Sequence, residues 1–378
     1  MIPVMPELFK SVLPNSTTAD VSVWAGALAS IFALMQFLFG PLLGTLSDRV
    51  GRKPVILISL SVMVGYYLIM AVAQSVWLLL IGRIVGGITA ATHATASAYI
   101  ADISTSEEKA ARFGLVGAAF GMGFVLGPVL GGLLGEFGPR APFYAAAALA
   151  ALNALSCTIW LHESVTNDIR QSFDWRRANP FGAFQALAKL GGLRDMFIVF
   201  LLYSIGTAIY AAIWPFFTEV RFDWSPGMIG ISLTIYGVCF AIVQGALVKP
   251  FIARFGERRT LIYGLVIEVV SLWLISIMTN GIILLIMIPF AALGVIAQPP
   301  LQAWMSRAAG DKNQGALQGV ISSLNALAMM MTPITMTSIF YAFSKNGSAF
   351  YFPGMPFFIS GILVLIALLV FFRIPSQK

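Results

Sequence analysis

Eleven runs of predominantly apolar residues leave this chain few ways to fold: roughly 21–43, 54–74, 76–101, 110–135, 141–161, 194–217, 227–252, 259–279, 281–305, 314–342 and 354–373. A helix needs about 20 such residues to cross a bilayer. The spacing therefore predicts an all-α membrane protein with eleven full spans. Only 10% of the residues are charged, against roughly 25% in soluble domains. Mean hydropathy is +0.87, more apolar surface than a soluble fold of this length could hide. Met1 to Leu13 is apolar but too short to span, and reads as the outer end of a helix whose beginning is absent. About 20 further residues upstream are expected, enough to complete that span. Cys157 and Cys239 lie inside apolar runs and read as free buried thiols.

The basic residues set the orientation. With loops assigned alternately to the two sides, eighteen of the 23 Lys and Arg fall on one side. Lys10, Arg140, Arg221 and Lys345 fall on the other, and Arg83 is left inside a helix. This asymmetry places the richer side, with the C-terminus, in the cytoplasm. The net charge of +7 is then a matter of topology, and nucleic-acid binding is unsupported. Counting the Met1 stub, six helices stand on each side of a long loop. The expected organisation is an N-terminal transmembrane half, 1–161, a cytoplasmic linker, 162–193, and a C-terminal transmembrane half, 194–378. The linker carries Asp168, Arg170, Asp174, Arg176 and Arg177.

The two halves are copies. Gly44-Thr45-Leu46-Ser47-Asp48-Arg49-Val50-Gly51-Arg52-Lys53-Pro54 returns, worn down, as Lys249-Pro250-Phe251-Ile252-Ala253-Arg254-Phe255-Gly256-Glu257-Arg258-Arg259. Gly51 and Gly256 are 205 positions apart, and Arg112-Phe113-Gly114-Leu115 aligns with Leu317-Gln318-Gly319-Val320 at the same offset. Because both halves run in the same direction, the repeat is parallel, with its axis along the membrane normal; duplicated helical membrane proteins of this kind are most often transporters. Within the first copy, Gly51 suits a turn that a side chain would penalise. Pro54 suits the first turn of the following helix. Asp48 can form an ion-pair cluster with Arg49, Arg52 and Lys53; an ordinary charged turn is the plainer alternative.

These residues resemble the cytoplasmic signature of the major facilitator superfamily. Gly82-Arg83-Ile84-Val85-Gly86-Gly87-Ile88-Thr89 resembles its fourth-helix motif. Gly123, Gly127, Pro128, Gly131 and Gly132 match in order and spacing the fifth-helix motif of its drug/proton antiporters. Ala98-Tyr99-Ile100-Ala101-Asp102-Ile103 and Gln314-Gly315-Ala316-Leu317-Gln318-Gly319 are similar to the tetracycline-efflux branch. The resemblance implies a major facilitator fold and proton-coupled export of a drug-like, amphipathic small molecule by alternating access, tetracycline or Mg-tetracycline among the candidates. It also implies a monomer in the bacterial inner membrane, partnered by its cargo, protons and the lipid bilayer. No resident cofactor or metal is expected, Mg²⁺ entering only with the cargo. Gly44, Asp48, Arg49, Gly51, Arg52 and Lys53 would then form a conformational switch.

Ionisable groups within the membrane are functional candidates. Glu268 is the one acidic residue that falls in a membrane interior. Burial penalises the charged form of a carboxyl, so Glu268 is expected to take up and release a proton as the cavity opens to each side; a static partner on a neighbouring helix is the alternative. For Arg83 a fixed ion pair or carbonyl clamp is an equal explanation, and the resemblance implies a part in proton coupling. His93 could titrate but reads as a hydrogen-bonded packing residue. Gly123, Gly127, Gly131 and Gly135 form a stripe that lets another backbone approach, and Pro128 removes one helical hydrogen bond within it. Gln36, Gln244 and Gln298, like Asn153, Gln302 and Asn325, either contact cargo or join helices; the resemblance favours Gln36 and Gln244. Tyr66, Tyr67, Tyr210, Trp214, Tyr236 and Phe240 line a cavity for a flat molecule or pack against lipid. Tyr66 stands where the resembled pumps carry a third-helix aspartate, Phe240 where they carry an eighth-helix histidine, and Glu268 replaces an aspartate.

Two rival readings remain at this stage. A facilitative or proton-symport importer of a metabolite would share the fold. A non-transporting membrane sensor would need a sizeable soluble domain, whereas the longest loop here has about 30 residues. No nucleophile, metal or phosphate-binding constellation suggests an enzyme.

Overall fold

The structure, a computed structural model, describes residues 1–105, 108–165, 179–182, 191–310, 313–345, 347–348 and 350–374. The side chain of His93 and the linker charges Asp168, Arg170, Asp174, Arg176 and Arg177 lie outside the described residues. All regular structure among the described residues is helical. A 3₁₀ turn, Ile2–Val4, leads into α1 (Met5–Val12). The N-terminal spans are α2 (Thr18–Val50), α3 (Arg52–Val72), the pair α4 (Val76–Ala90) and α5 (His93–Asp102), α6 (Lys109–Gly135) and α7 (Ala141–Trp160). After the linker come α8 (Arg194–Phe222), then α9 (Pro226–Ile242), which continues through a π-turn, Val243–Leu247, into α10 (Val248–Phe255). α11 (Glu257–Ile277) follows. α12 (Gly281–Ala292) passes through a 3₁₀ segment, Leu293–Ala297, into α13 (Gln298–Ala309), and α14 (Gln314–Ser344) and α15 (Met355–Arg373) complete the chain. Eleven of the resulting segments are long and apolar enough to cross a membrane.

Local chemistry explains where the helices begin and end. Thr17 and Asp20 form a reciprocal capping box, so α2 starts just before its apolar run. It also outlasts that run. Residues 44–50 are its last two turns, and the chain reverses at Gly51 alone, with φ 112° and ψ 154°. The signature is thus mostly helix rather than a charged turn. Gly256 makes the same reversal between α10 and α11, with φ 77° and ψ 160°. In the tenth span, Pro299 and Pro300 cannot donate to the carbonyls of the preceding turn, and the helix tightens to 3₁₀ over Leu293–Ala297.

The helices pair as a duplication requires. Adding 205 to the bounds of α3 gives those of α11. α3 packs on α7, and α11 packs on α15. Outward faces are apolar because the surrounding solvent is lipid: on α6, Leu115, Phe120, Met122 and Leu133 are all exposed.

Two seams join the halves, α2 against α14 and α6 against α9. Under the 205-residue offset each is the image of the other. In one, the carbonyl of Pro128 faces Gly230; in the other, the carbonyl of Pro333 faces Gly26. Pro128 and Pro333 are themselves 205 positions apart. Both seams lie toward the side opposite the signature, and polar contacts reinforce them there. Beside the seams, Glu219 of α8 pairs with Lys10 of α1 and accepts a 2.8 Å bond from Thr18 Oγ1 of α2. Glu136 accepts from Ser225 Oγ at 2.8 Å and from the Gly227 N–H at 2.7 Å. Ser30 Oγ accepts from the Ile334 N–H at 3.2 Å.

Candidate transport site

Between the halves lies a cavity of about 810 Å³, within the size range of drug-sized ligand sites. One end of it is the closed α2–α14 seam, at Gly26 and Pro333. From there it runs toward the signature side, where Gly40, Pro41 and Gly319 line it together with Asn179 and Pro180 of the linker. Phe181 meets Phe37 edge-on at 5.7 Å beside that opening.

From the N-terminal half, Gln36, Tyr66 and Arg83 line the wall; from the C-terminal half, Pro215, Phe216 and Asn325 do so. The fourth-helix glycines make room for this arrangement. A Cβ on Gly86 would stand 2.7 Å from the Tyr66 ring, and one on Gly87 would meet the Phe32 carbonyl oxygen. Tyr66 lies in turn against Tyr67, their rings tilted by 41° with centroids 4.8 Å apart. The Arg83 guanidinium sits 5.7 Å from the Phe32 ring centroid, and its Nη2 is 3.4 Å from Met5 Sδ. Its Nε is buried without a partner, and no carboxylate pairs with it among the described residues.

Glu268 occupies a separate place. It is 1% exposed in the interior of the C-terminal half and does not line the cavity. Its carboxylate fills the space beside Gly294 that a side chain would otherwise need. Tyr203, Tyr210 and Tyr236 stand around it, with the Tyr210 hydroxyl nearest. Neither Glu268 Oε1 nor the Tyr210 hydroxyl completes a well-formed hydrogen bond. The 3₁₀ segment holding Gly294 packs on α11 and touches the π-turn that carries Gln244. Irregular backbone at this depth is tolerated where protein surrounds it. Gln244, Phe240 and Gln298 are half-buried near these segments and are not part of the cavity wall.

The signature residues divide. Arg52, only 9% exposed, binds Asp48 through Nη1 at 2.5 Å, Asp102 through Nε at 3.0 Å and Ser47 Oγ at 2.5 Å. Glu163 accepts from the backbone N–H groups of Arg52 and Lys53 at 2.8 and 3.2 Å, capping α3 where Gly51 has no side chain to do so. Lys53 Nζ reaches the Thr158 carbonyl at 3.2 Å. Arg49 is exposed and outside this network, and a Cβ on Gly44 would meet no neighbour. In the second copy Arg307 forms a two-pronged ion pair with Glu257. Residues 257 and 307 are 52 and 102 shifted by 205. The Arg52–Asp102 pair thus recurs with its charges exchanged.

The glycine stripe also divides. A Cβ on Gly132 would lie 2.7 Å from the Pro226 carbonyl oxygen and 2.9 Å from Gly230 Cα, so close approach to α9 depends on it. Gly131 and Gly135 meet the N-terminal segment at Met1 and Val4, while Gly123 and Gly127 face open space.

Sequence reasoning passed over Glu163, Pro333, the Glu257–Arg307 pair, the seam residue Glu136 and Glu219 of α8. The 205-residue offset, carried along the chain, would have found Pro333 and the exchanged pair. The contacts of Glu163 and Glu219 left no such signal.

Two six-helix halves meeting at symmetric seams around a central cavity define a membrane transporter of the two-fold, duplicated type. The Major Facilitator Superfamily model matches residues 1–220 and 196–378, and the chain belongs to that family. It is 38% identical to the tetracycline resistance protein, class C, of Escherichia coli, over 97% of this chain and 91% of that protein. Identity to the class G tetracycline resistance protein of Vibrio anguillarum is 36% over the same shares. Among solved structures, the nucleoside transporter NupG superposes with a TM-score of 0.76 at 14% identity, over 99% of this chain and 98% of that one. That likeness concerns the fold.

Proposed function

We propose that the chain is a proton-coupled antiporter that exports a drug-like, amphipathic small molecule across the bacterial inner membrane, tetracycline among the candidate cargoes. The observation that carries this reading is the cavity between the halves, sealed at one end and reaching the signature side at the other, as one state of an alternating-access cycle would be. The names of its relatives, tetracycline resistance proteins, support the direction and the class of cargo. Residues 1–161 and 194–378 rock about the seams, with the signature side and the C-terminus in the cytoplasm. The Asp48–Arg52–Asp102 cluster and the α3 cap steady one end of that motion, with Gly44, Arg49 and Lys53 at its edge. Gly123, Gly127, Pro128, Gly131 and Gly132 form the sliding face of α6. Gln36 and Tyr66 contact cargo in the present state; Gln244, Phe240 and Gln298 are reached as the C-terminal half turns. Glu268 carries the proton, assisted by Arg83. The protein works as a monomer without a resident cofactor, and any Mg²⁺ arrives with the cargo.

Proton movement in inverted vesicles, evoked by a panel that includes Mg²⁺–tetracycline, tests this. Export should release protons in the wild type, and Glu268→Gln should abolish that release while folding and cargo binding persist. Undiminished coupling in the variant would remove Glu268 from the mechanism. Cargo moving in the opposite direction would instead establish the importer.

A further inference from the structure

A second hollow, of about 360 Å³, opens at the ends of the spans on the side opposite the signature. Arg221 and Phe222 end α8, Trp224 follows in the turn to α9, and Thr279, Asn280 and Gly281 carry the chain from α11 into α12. The wall holds donors that the described residues leave unmet. Arg221 Nε donates to the Met278 carbonyl at 3.0 Å, which holds the guanidinium in place, while its two Nη groups meet no acceptor among the described residues. Trp224 Nε1 stands over Gly281, where a Cβ would come within 2.9 Å of it, and is likewise without an acceptor there. Asn280 Oδ1 caps the N–H groups of Ile282 and Ile283, so the start of α12 is already satisfied. Arg221 is the one charged side chain among the described lining residues; Asp223, two residues on, is exposed and stands outside the wall.

The hollow opens onto an apolar stripe. Ile282 in its wall, Ile286 one turn further along α12 and Ile277 at the end of α11 are 70%, 71% and 60% exposed. In a spanning helix such a surface is covered by acyl chains. Tryptophan settles at headgroup depth, and a guanidinium engages phosphate oxygens through paired N–H donors.

We propose that this hollow binds the phosphodiester of a membrane glycerophospholipid. The Arg221 Nη groups and Trp224 Nε1 donate to the phosphate, and the acyl chains lie on Ile277, Ile282 and Ile286. A soluble phosphate shares the donors but leaves the isoleucine stripe unused, so the stripe commits the site to a lipid. One headgroup then ties the end of α8 to the α11–α12 turn within the C-terminal half. The site is independent of the exporter reading, since none of its residues lines the central cavity.

Native mass spectrometry of the delipidated full chain in detergent micelles tests this with three probes. Dioleoyl-phosphatidylglycerol carries both parts, dioleoylglycerol the chains without phosphate, and glycerol 3-phosphate the head without chains. Phosphatidylglycerol should fill one site about tenfold more tightly than either other probe, the scale of one charge-assisted pair. Arg221→Met should remove that advantage, Arg221→Lys should keep part of it, and Trp224→Phe should weaken the site while retaining the ring. Lys345→Met removes an exposed cation on the same side, outside the hollow, and should change nothing. Equal binding of dioleoylglycerol would mean that phosphate is not recognised, and equal binding of glycerol 3-phosphate that the occupant is a soluble phosphate. Either result overturns the proposal, as does a tight site that survives Arg221→Met or an equal loss in Lys345→Met. Arg221 also holds the Met278 carbonyl, so if Arg221→Met fails to fold, the wild-type probes and Trp224→Phe decide.

Discussion

Gly51 and Gly256 hold the same extended, positive-φ backbone at equivalent turns, but their surroundings differ. A side chain in that region of backbone space costs on the order of 1–3 kcal/mol. At Gly256 a Cβ meets no neighbour, so Gly256→Ala should cost only that strain. At Gly51 a Cβ would also collide with the Glu163 carboxylate that caps α3, its Cδ being 2.8 Å away. Gly51→Ala should therefore lower the thermal midpoint more than Gly256→Ala, and Glu163→Ala in the same chain should recover part of the difference. Equal midpoints for the two single variants would show that Glu163 yields freely. The need for glycine at both turns was legible in the residue order, because a reversal between two helices is a local demand. The Glu163 cap was not, since 111 residues separate it from the N–H it binds.

At the scale of the helices, the exchanged ion pairs separate position from sign. Arg52–Asp102 ties the turn between α2 and α3 to the end of α5, and Glu257–Arg307 ties the turn before α11 to the end of α13. What the architecture demands is an opposite-charge pair at that site, in either order. Glu257→Arg alone should impair transport, because it sets a cation against Arg307. Adding Arg307→Asp, which restores the sense found in the first half, should recover it. Both side chains of the second pair are partly exposed, so its stability contribution is about 0–1 kcal/mol, and transport rate rather than melting is the sensitive readout. The helix spans could be read from apolar run length, apart from the last two turns of α2, which extend into the charged signature. The breaks within the fourth, eighth and tenth spans could not, because they follow from local backbone competition inside uniformly apolar sequence.

For the whole molecule, closure on the side opposite the signature is a state rather than a fixed wall. Gly26 and Thr337 meet side by side across the α2–α14 seam, where a Cβ on Gly26 would lie 2.9 Å from Thr337 Cβ. Cysteines at these two positions, in a chain with Cys157 and Cys239 replaced, should form a disulfide under oxidation. That bond should stop transport, and reduction should restore it. Full transport in the oxidised protein would mean that this seam never opens. The same observation bounds the cargo site: Gln36, Tyr66 and Arg83 face the cavity now, while Gln244, Phe240 and Gln298 do not.

The sequence by itself determined the membrane class, the number and order of spans, the duplication and the family. Each follows from run length, local turn chemistry or motif order, which act over a few residues and survive any arrangement of the helices. Only the tertiary structure decided which seams are closed, that Arg83 stands in the cavity, and that Glu268 lies behind the wall among tyrosines. Those outcomes depend on the register in which distant helices pack, and contacts such as Glu219 with Lys10 span 209 residues that no local pattern connects.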